Sequence, residues 1–274
     1  MNNARARLGN AKRLVVKVGT STLTYESGMI NLGRIEKLAR VLSDLANRGI
    51  EIVLVSSGAI GLGTAKLKLK ARPKTVPEKQ AAAAVGQGEL MALYGKFFSE
   101  YSHIVGQILL TRDIVENLKG RQNAINTFES LIKSGVIPIV NENDSVSIEE
   151  ITTDKNRVFG DNDTLSAIVS GLVGADLLII LSDIDGFYSG DPKRNPDSKL
   201  ISVVETIDEQ LEKCAGGEGS SRGTGGMITK LNAAKVALAS GIDVVIANGS
   251  SPEIVLDIIG GQNKGTLFVA KRVV

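Results

Sequence analysis

Short apolar runs alternate along this chain with longer stretches in which apolar residues recur every three or four positions. The run Leu177-Leu178-Ile179-Ile180-Leu181 is apolar at every position, the mark of a strand buried on both faces in a parallel α/β sheet. Further strands are predicted at Arg13–Val18, Ile50–Val55, His103–Leu110, Val136–Val140, Ile242–Ala247 and Thr266–Ala270. Between them, Ile35, Leu38, Leu42 and Leu45 give one face of a helix over Asn31–Arg48, stopped by Gly49. Leu165, Ile168, Val169 and Leu172 do the same for a helix that opens at Gly160-Asp161-Asn162-Asp163-Thr164, whose Asp and Asn side chains can cap it, and that closes at Gly174. Helices are also predicted over Pro77–Tyr101 (with Gly86 and Gly88 as weak points), Arg121–Lys133, Ile207–Cys214, Met227–Ala239 and Pro252–Ile259. Residues 1–12 read as a loose basic arm, 145–158 as a hairpin or flap, 191–196 as a loop and 215–226 as a flexible glycine-rich segment. No interior shift in composition marks a boundary, so a single α/β domain is expected.

Polar residues gather where the strands end. Ligands of open α/β sheets bind beyond the carboxyl ends of strands, and there stand Lys17, Ser56-Ser57-Gly58-Ala59, Asn141-Glu142-Asn143-Asp144 and Ser182-Asp183. A lysine closing a buried strand avoids an unpaired charge in the core by pointing into that crevice. The glycine-rich turn after Val55 leads into a helix, so backbone N–H groups there can meet an anion. Two acidic clusters, one at a helix start and one at a strand end, favour a polar ligand that carries cations.

Composition removes several classes of function. With 32 basic and 30 acidic residues the net charge is +2, too small to imply nucleic acid or an anionic membrane as partner. Cys214 is the only cysteine and His103 the only histidine, which excludes an internal disulfide, histidine triads and multi-histidine metal sites, and fits a reducing, cytoplasmic compartment. No apolar stretch approaches the ~18 residues of a membrane span. The basic run 66–74 reads as a solvated loop or lid edge. The dinucleotide fingerprint fails, because Ile228 or Arg222 stands where the third glycine belongs; around Gly95-Lys96, Leu90 and Phe97 break the P-loop pattern. What remains is Lys17, Lys230, Asp163 and the donors of Ser57-Gly58-Ala59. Singly these are a strand-end charge, a linker neighbour, a helix cap and a turn. Together they supply the positive charge and N–H dipoles that phosphoryl transfer needs.

Val16-Lys17-Val18-Gly19-Thr20-Ser21, Ser56–Ile60, Asn141–Asp144, Gly160–Asp163 and Gly223–Lys230 occur in the order seen in amino-acid kinases, and the chain resembles that family from Lys17 to about Phe268. The N-E-N-D, G-D-N-D and T-G-G-M-x-T-K forms are similar to the branch that phosphorylates L-glutamate for proline synthesis. The resemblance implies a three-layer αβα sandwich with a mainly parallel sheet, residues 12–175 carrying the glutamate and phosphoryl site and residues 176–274 the ATP site. It implies that Lys17 and Lys230 bracket the migrating phosphoryl group and that Asp163 holds both. Ser57, Gly58, Asn141, Asp144 and Asn162 match glutamate-binding positions. Lys17, Gly19, Ser182, Asp183, Thr224, Gly225, Gly226, Met227, Ile228, Thr229 and Lys230 match ATP-binding ones. Mg²⁺ is expected to arrive on ATP, with no metal ligands from the protein. L-proline is expected to inhibit, and a homo-oligomer, dimer or tetramer, is expected. Two departures stand out: 152–158 is longer than in the family, and the C-terminal PUA domain of many members is expected to be missing. Acetylglutamate kinase, aspartokinase, uridylate kinase and isopentenyl phosphate kinase share the ATP half, and a non-catalytic nucleotide binder is the reading outside enzymes. Asp144 argues against an acetylated substrate, because a free ammonium wants a carboxylate partner.

Overall fold

The computed structural model describes residues 3–25, 28–146, 161–190, 197–216 and 224–271. In chain order the strands are β1 (Arg13–Val18), β2 (Glu51–Ser56), β3 (Ile104–Leu110), β4 (Val136–Glu142), β5 (Leu177–Ser182), β6 (Val203–Val204), β7 (Asp243–Asn248) and β8 (Thr266–Phe268). The helices are α1 (Asn3–Ala6), α2 (Thr20–Leu23), α3 (Leu32–Asn47), α4 (Ala59–Lys66), α5 (Val76–Ser99), α6 (Arg112–Glu116), α7 (Leu118–Lys133), α8 (Asn162–Leu172), α9 (Glu209–Gly216), α10 (Thr224–Ala239) and α11 (Ile254–Ile259).

Among the described residues the strands form one eight-stranded sheet in the order β3-β4-β2-β1-β5-β7-β8-β6, parallel throughout except for the antiparallel β7–β8 pair. Successive side chains of a strand face opposite sides, and the core divides accordingly. Leu14, Val16, Leu54 and Ile179 pack with Leu38 of α3, Leu90 and Phe98 of α5 and Val255 of α11. Val15, Val55, Leu178 and Ile180 pack with Phe128 of α7, Leu165 of α8 and Ala233 of α10. The result is the expected three-layer sandwich. From β1 the chain builds β2, β4 and β3 on one side, then returns for β5, β7 and the rest on the other. The crevice at the carboxyl end of β1 is therefore the switch point of the sheet.

The structure corrects several expectations. The N-terminal arm is docked: Leu8 is buried, Arg7 pairs with Asp243, and the Arg5 guanidinium donates to the carbonyls of Ser202, Gln262, Lys264 and Gly265 at 2.7–3.1 Å. Gly86 is not a weak point of α5 but the place where α4 crosses it. A Cβ on Gly86 would lie 1.7 Å from the Ala59 carbonyl oxygen, and one on Gly63 equally close to that of Ala82. Only glycine allows two backbones to approach that closely. Helix α10 begins at Thr224 and not at Met227, so 224–226 belong to its first turn. The short α6 and β6 were not foreseen, each too short to leave a periodic signal, and the strand expected at Thr266–Ala270 forms over Thr266–Phe268 in an antiparallel direction that periodicity cannot report. The flap at 147–158, including 152–158, the loop 191–196 and residues 217–223 lie outside the described residues. No helix among the described residues is long and apolar enough to cross a membrane.

Candidate active site

Lys17 has the same parity along β1 as Val15, so its side chain faces the layer of α8 and α10. Asp163 lies in the first turn of α8 and Lys230 in the second turn of α10. All three are buried, at 7%, 3% and 8% exposure for Lys17, Asp163 and Lys230. Lys17 Nζ is 2.6 Å from Asp163 Oδ1 and Lys230 Nζ 3.2 Å from Asp163 Oδ2, so one carboxylate bridges two ammonium groups. Lys230 Nζ also donates to the Gly226 carbonyl at 2.9 Å, which ties it to its own helix. Asp163 is not the cap of α8. That role falls to Asp161, whose Oδ1 accepts from Thr164 N at 2.7 Å and so leaves Asp163 for the lysines. Burial alone would push the Asp163 carboxyl up, but the charges and hydrogen bonds of Lys17 and Lys230 outweigh it and hold the group below the usual carboxylate range.

Beside this triad opens a cavity of about 800 Å³, lined among others by Ser57, Gly58, Asn141, Asp144 and Asn162. Gly58 takes φ 105°, a left-handed conformation that turns the chain from β2 into α4. Ser56 is held from behind by a 2.7 Å hydrogen bond to the buried Tyr94 hydroxyl. Asn162 Nδ2 donates to Ser57 Oγ at 2.8 Å and to Asn141 Oδ1 at 2.9 Å, stitching the ends of β2 and β4 to the start of α8. Asp144 lies on the turn after β4. The five residues expected to share a ligand thus line one cavity.

A second cavity, of about 650 Å³, is lined by Thr20, Ser21, Arg34, Ser182, Asp183 and Asn248 among others. Ser182 donates to Asp183 Oδ1 at 2.9 Å, and the Ser182 carbonyl accepts from Gly249 N at 2.7 Å, which joins the ends of β5 and β7. Thr20 lines both cavities. Gly19 lies against Lys17, a Cβ there falling 3.5 Å from Nζ. On α10, Thr229 Oγ1 donates to the Gly226 carbonyl at 3.2 Å, Met227 packs on the core, and Ile228 is 40% exposed. Thr224 and Gly225 open the helix.

Residues 12–248 match the amino acid kinase family over most of the chain. The chain belongs to the amino acid kinase family. This amino acid kinase is similar to the glutamate 5-kinase of Clostridium perfringens, 62% identical over 268 residues, 98% of this chain and 99% of that one. It is similar also to the glutamate 5-kinase of Listeria innocua, 55% identical over 98% of this chain and 96% of that one. In fold it matches an isopentenyl phosphate kinase of T. acidophilum with a TM-score of 0.62, at 19% identity over 93% of this chain and 99% of that one.

The residues of this amino acid kinase fit a nucleotide's phosphates. Two ammonium groups held by one carboxylate at the switch point present paired positive charge to a polyanion. Among the described residues no three His, Cys, Asp or Glu side chains converge on a metal position. Several lining residues escaped sequence reasoning. Lys68 and Arg72 of the basic run border the larger cavity, which fits the lid-edge reading of that run and not the solvated loop, though neither was singled out by number. Glu142 and Asp161 also line it and sat inside motifs already singled out, whereas Thr24 and Met29 carried no signal.

Proposed function

We propose that this kinase transfers the γ-phosphoryl group of ATP to the side-chain carboxylate of L-glutamate, giving ADP and L-glutamyl 5-phosphate, the first step of proline synthesis. The observation that carries this reading is the Lys17–Asp163–Lys230 bridge set beside a cavity that offers Ser57, Asn141, Asp144 and Asn162. A carboxylate with an ordinary pKa of ~4.3 is ionised at neutral pH, so no general base is needed. The obstacle is the approach of one anion to another. A carboxylate oxygen attacks the γ-phosphorus as the bond to the bridging oxygen breaks, and that electron pair leaves with ADP; no proton moves. Lys17 and Lys230 stand where charge spreads over the migrating group, and Asp163 keeps them from drifting apart. Mg²⁺ would enter on the nucleotide and neutralise phosphate charge.

Asp144 would pair with the α-ammonium of glutamate, and Ser57, Gly58, Asn141 and Asn162 would orient the rest of the molecule. ATP would lie over Gly19, Ser182, Asp183 and Thr224 to Lys230, so residues 12–175 would carry glutamate and residues 176–274 the nucleotide. We place the enzyme in the cytoplasm as a homo-oligomer. L-Proline would compete in the larger cavity, and an unchanged rate at millimolar proline and subsaturating glutamate would refute that competition. The substrate assignment is tested by trapping acyl phosphate with hydroxylamine in Mg-ATP, offering L-glutamate, N-acetylglutamate and aspartate in turn. Glutamate should give the hydroxamate. A stronger signal from either other acid would overturn the assignment.

A further inference from the structure

Behind the wall of the larger cavity lies another of about 320 Å³, bounded by Gln87 of α5, Gln107 of β3 and Glu142, Asn143 and Asp144 at the end of β4. Gln87 lines this smaller space and is linked to the larger cavity through Asn141. Its side chain is buried, at 8% exposure, and its Oε1 accepts from Asn141 Nδ2 at 3.0 Å. Asn141 Oδ1 in turn accepts from Asn162 Nδ2 at 2.9 Å, and that same nitrogen donates to Ser57 Oγ at 2.8 Å. The three amides therefore form one donor-to-acceptor series running from the larger cavity back to α5.

The terminal torsion of an asparagine is broad and roughly two-fold, so its oxygen and nitrogen exchange places unless a neighbour discriminates between them. Asn141 is discriminated on one side by Asn162 Nδ2, which also donates to the Ser56 carbonyl at 3.4 Å, and on its far side by the Gln87 oxygen. If the Gln87 acceptor is removed, Asn162 alone holds Asn141 in place, and turning Asn141 over, which opposes its Nδ2 to that of Asn162, becomes less costly. Asn162 must then give up its bond to Asn141, to Ser57, or to both. Gln87 Nε2, at the other end of the amide, is buried and has no hydrogen-bond partner among the described residues. An unpaired buried amide nitrogen is unfavourable, and a side chain kept only to fill space in this alanine-rich helix would have no use for an amide.

We propose that Gln87 is a positioning residue of this kinase. Its oxygen sets the amide orientation of Asn141 and, through it, of Asn162 and Ser57, so that Asn162 turns its own carbonyl oxygen away from the other two and keeps it for a donor on the acceptor substrate. The inference rests on the reading that the larger cavity takes glutamate. It assigns a specificity role to a residue of α5 that does not itself line the larger cavity.

The test is a steady-state comparison of Gln87→Leu and Gln87→Glu with the unaltered enzyme by the hydroxamate assay. Gln87→Leu removes the acceptor and Gln87→Glu retains an oxygen at the same reach. Gln87→Leu should raise KM for glutamate about tenfold, the scale of one lost oriented hydrogen bond, while KM for ATP stays within about twofold. Gln87→Glu should recover most of the loss. In an Asn141→Ala background Gln87→Leu should add almost nothing, because the two act as one unit. Equal rises in both KM values, an unchanged KM for glutamate, or full additivity with Asn141→Ala would overturn the proposal. If Gln87→Leu does not fold, Gln87→Met carries the same expectation. An unaltered enzyme that forms no glutamyl hydroxamate would instead overturn the glutamate reading and this inference with it.

Discussion

Replacing Asp163 by asparagine removes one negative charge and nothing of its size. In the folded chain that charge stands 2.6 Å from one ammonium nitrogen and 3.2 Å from another, with all three side chains buried. At an effective dielectric near 20 each contact is worth roughly 5–6 kcal/mol in gross Coulomb energy, most of it offset by desolvation. Breaking a buried pair from one side costs about 3–5 kcal/mol, because the remaining charges are left unpaired. Part of that loss falls on stability. The part that falls on turnover is the loss of a preorganised pair of cations, which should lower kcat on the order of 10²–10³-fold. KM for glutamate should change far less, since Ser57, Asn141, Asp144 and Asn162 are untouched. Combined with Lys230→Ala, the loss should be less than additive. The folded pKa of Asp163 is lowered, so its contribution to stability is complete above the ordinary carboxylate range and is lost as pH falls through the lowered folded value. The Asp163→Asn variant should therefore lose less stability than the unaltered chain between neutral and strongly acid pH. Initial rates of ADP release and acid-range denaturation curves measure both effects. A variant with near-normal kcat and an unchanged acid limb would refute the bridge as a working part of the site.

Asp144→Ala should raise KM for glutamate at least about tenfold with little change in KM for ATP, as expected when a contact made equally in ground and transition states is lost; equal changes in both would count against it. Gly86→Ala should destabilise the fold on the order of 3 kcal/mol in urea unfolding, because the new methyl group meets the Ala59 carbonyl oxygen at 1.7 Å and must push α4 from α5. Arg5→Ala should cost about 2–4 kcal/mol by the same measurement, through four carbonyls losing a common donor. Its kcat should be nearly normal below the melting range, since none of those carbonyls belongs to a residue lining the two large cavities.

Much of this architecture is written locally. Strand β5 announces itself by uniform apolarity, and the motifs at the ends of β1, β2, β4 and β5 fall on one rim because parallel strands end on the same side. What stayed hidden depends on partners far away in sequence. Arg5 looks like any basic residue of a solvated arm until the carbonyls of residues 202–265 are brought to it. Gly63 and Gly86 each look like a flaw in a helix, and only the crossing of α4 and α5 gives them a shared reason. Asp161 and Asp163 stand two residues apart with the same side chain, so sequence cannot say which caps and which bridges. Gln87 sits in a helix whose composition speaks of packing, and its meaning comes from Asn141, 54 positions on.

The most direct measurement follows an oxygen atom. L-Glutamate labelled with ¹⁸O in its side-chain carboxylate is turned over with Mg-ATP and hydroxylamine, and the released inorganic phosphate is examined by the isotope shift in its ³¹P spectrum. If the carboxylate attacks the γ-phosphorus between Lys17 and Lys230, the bridging oxygen leaves with phosphate when hydroxylamine takes the acyl group, and each phosphate carries one ¹⁸O. The Asp163→Asn enzyme should release the same labelled phosphate, more slowly and in proportion to its reduced rate. Phosphate released without ¹⁸O would mean that water and not glutamate receives the phosphoryl group, and would contradict the account.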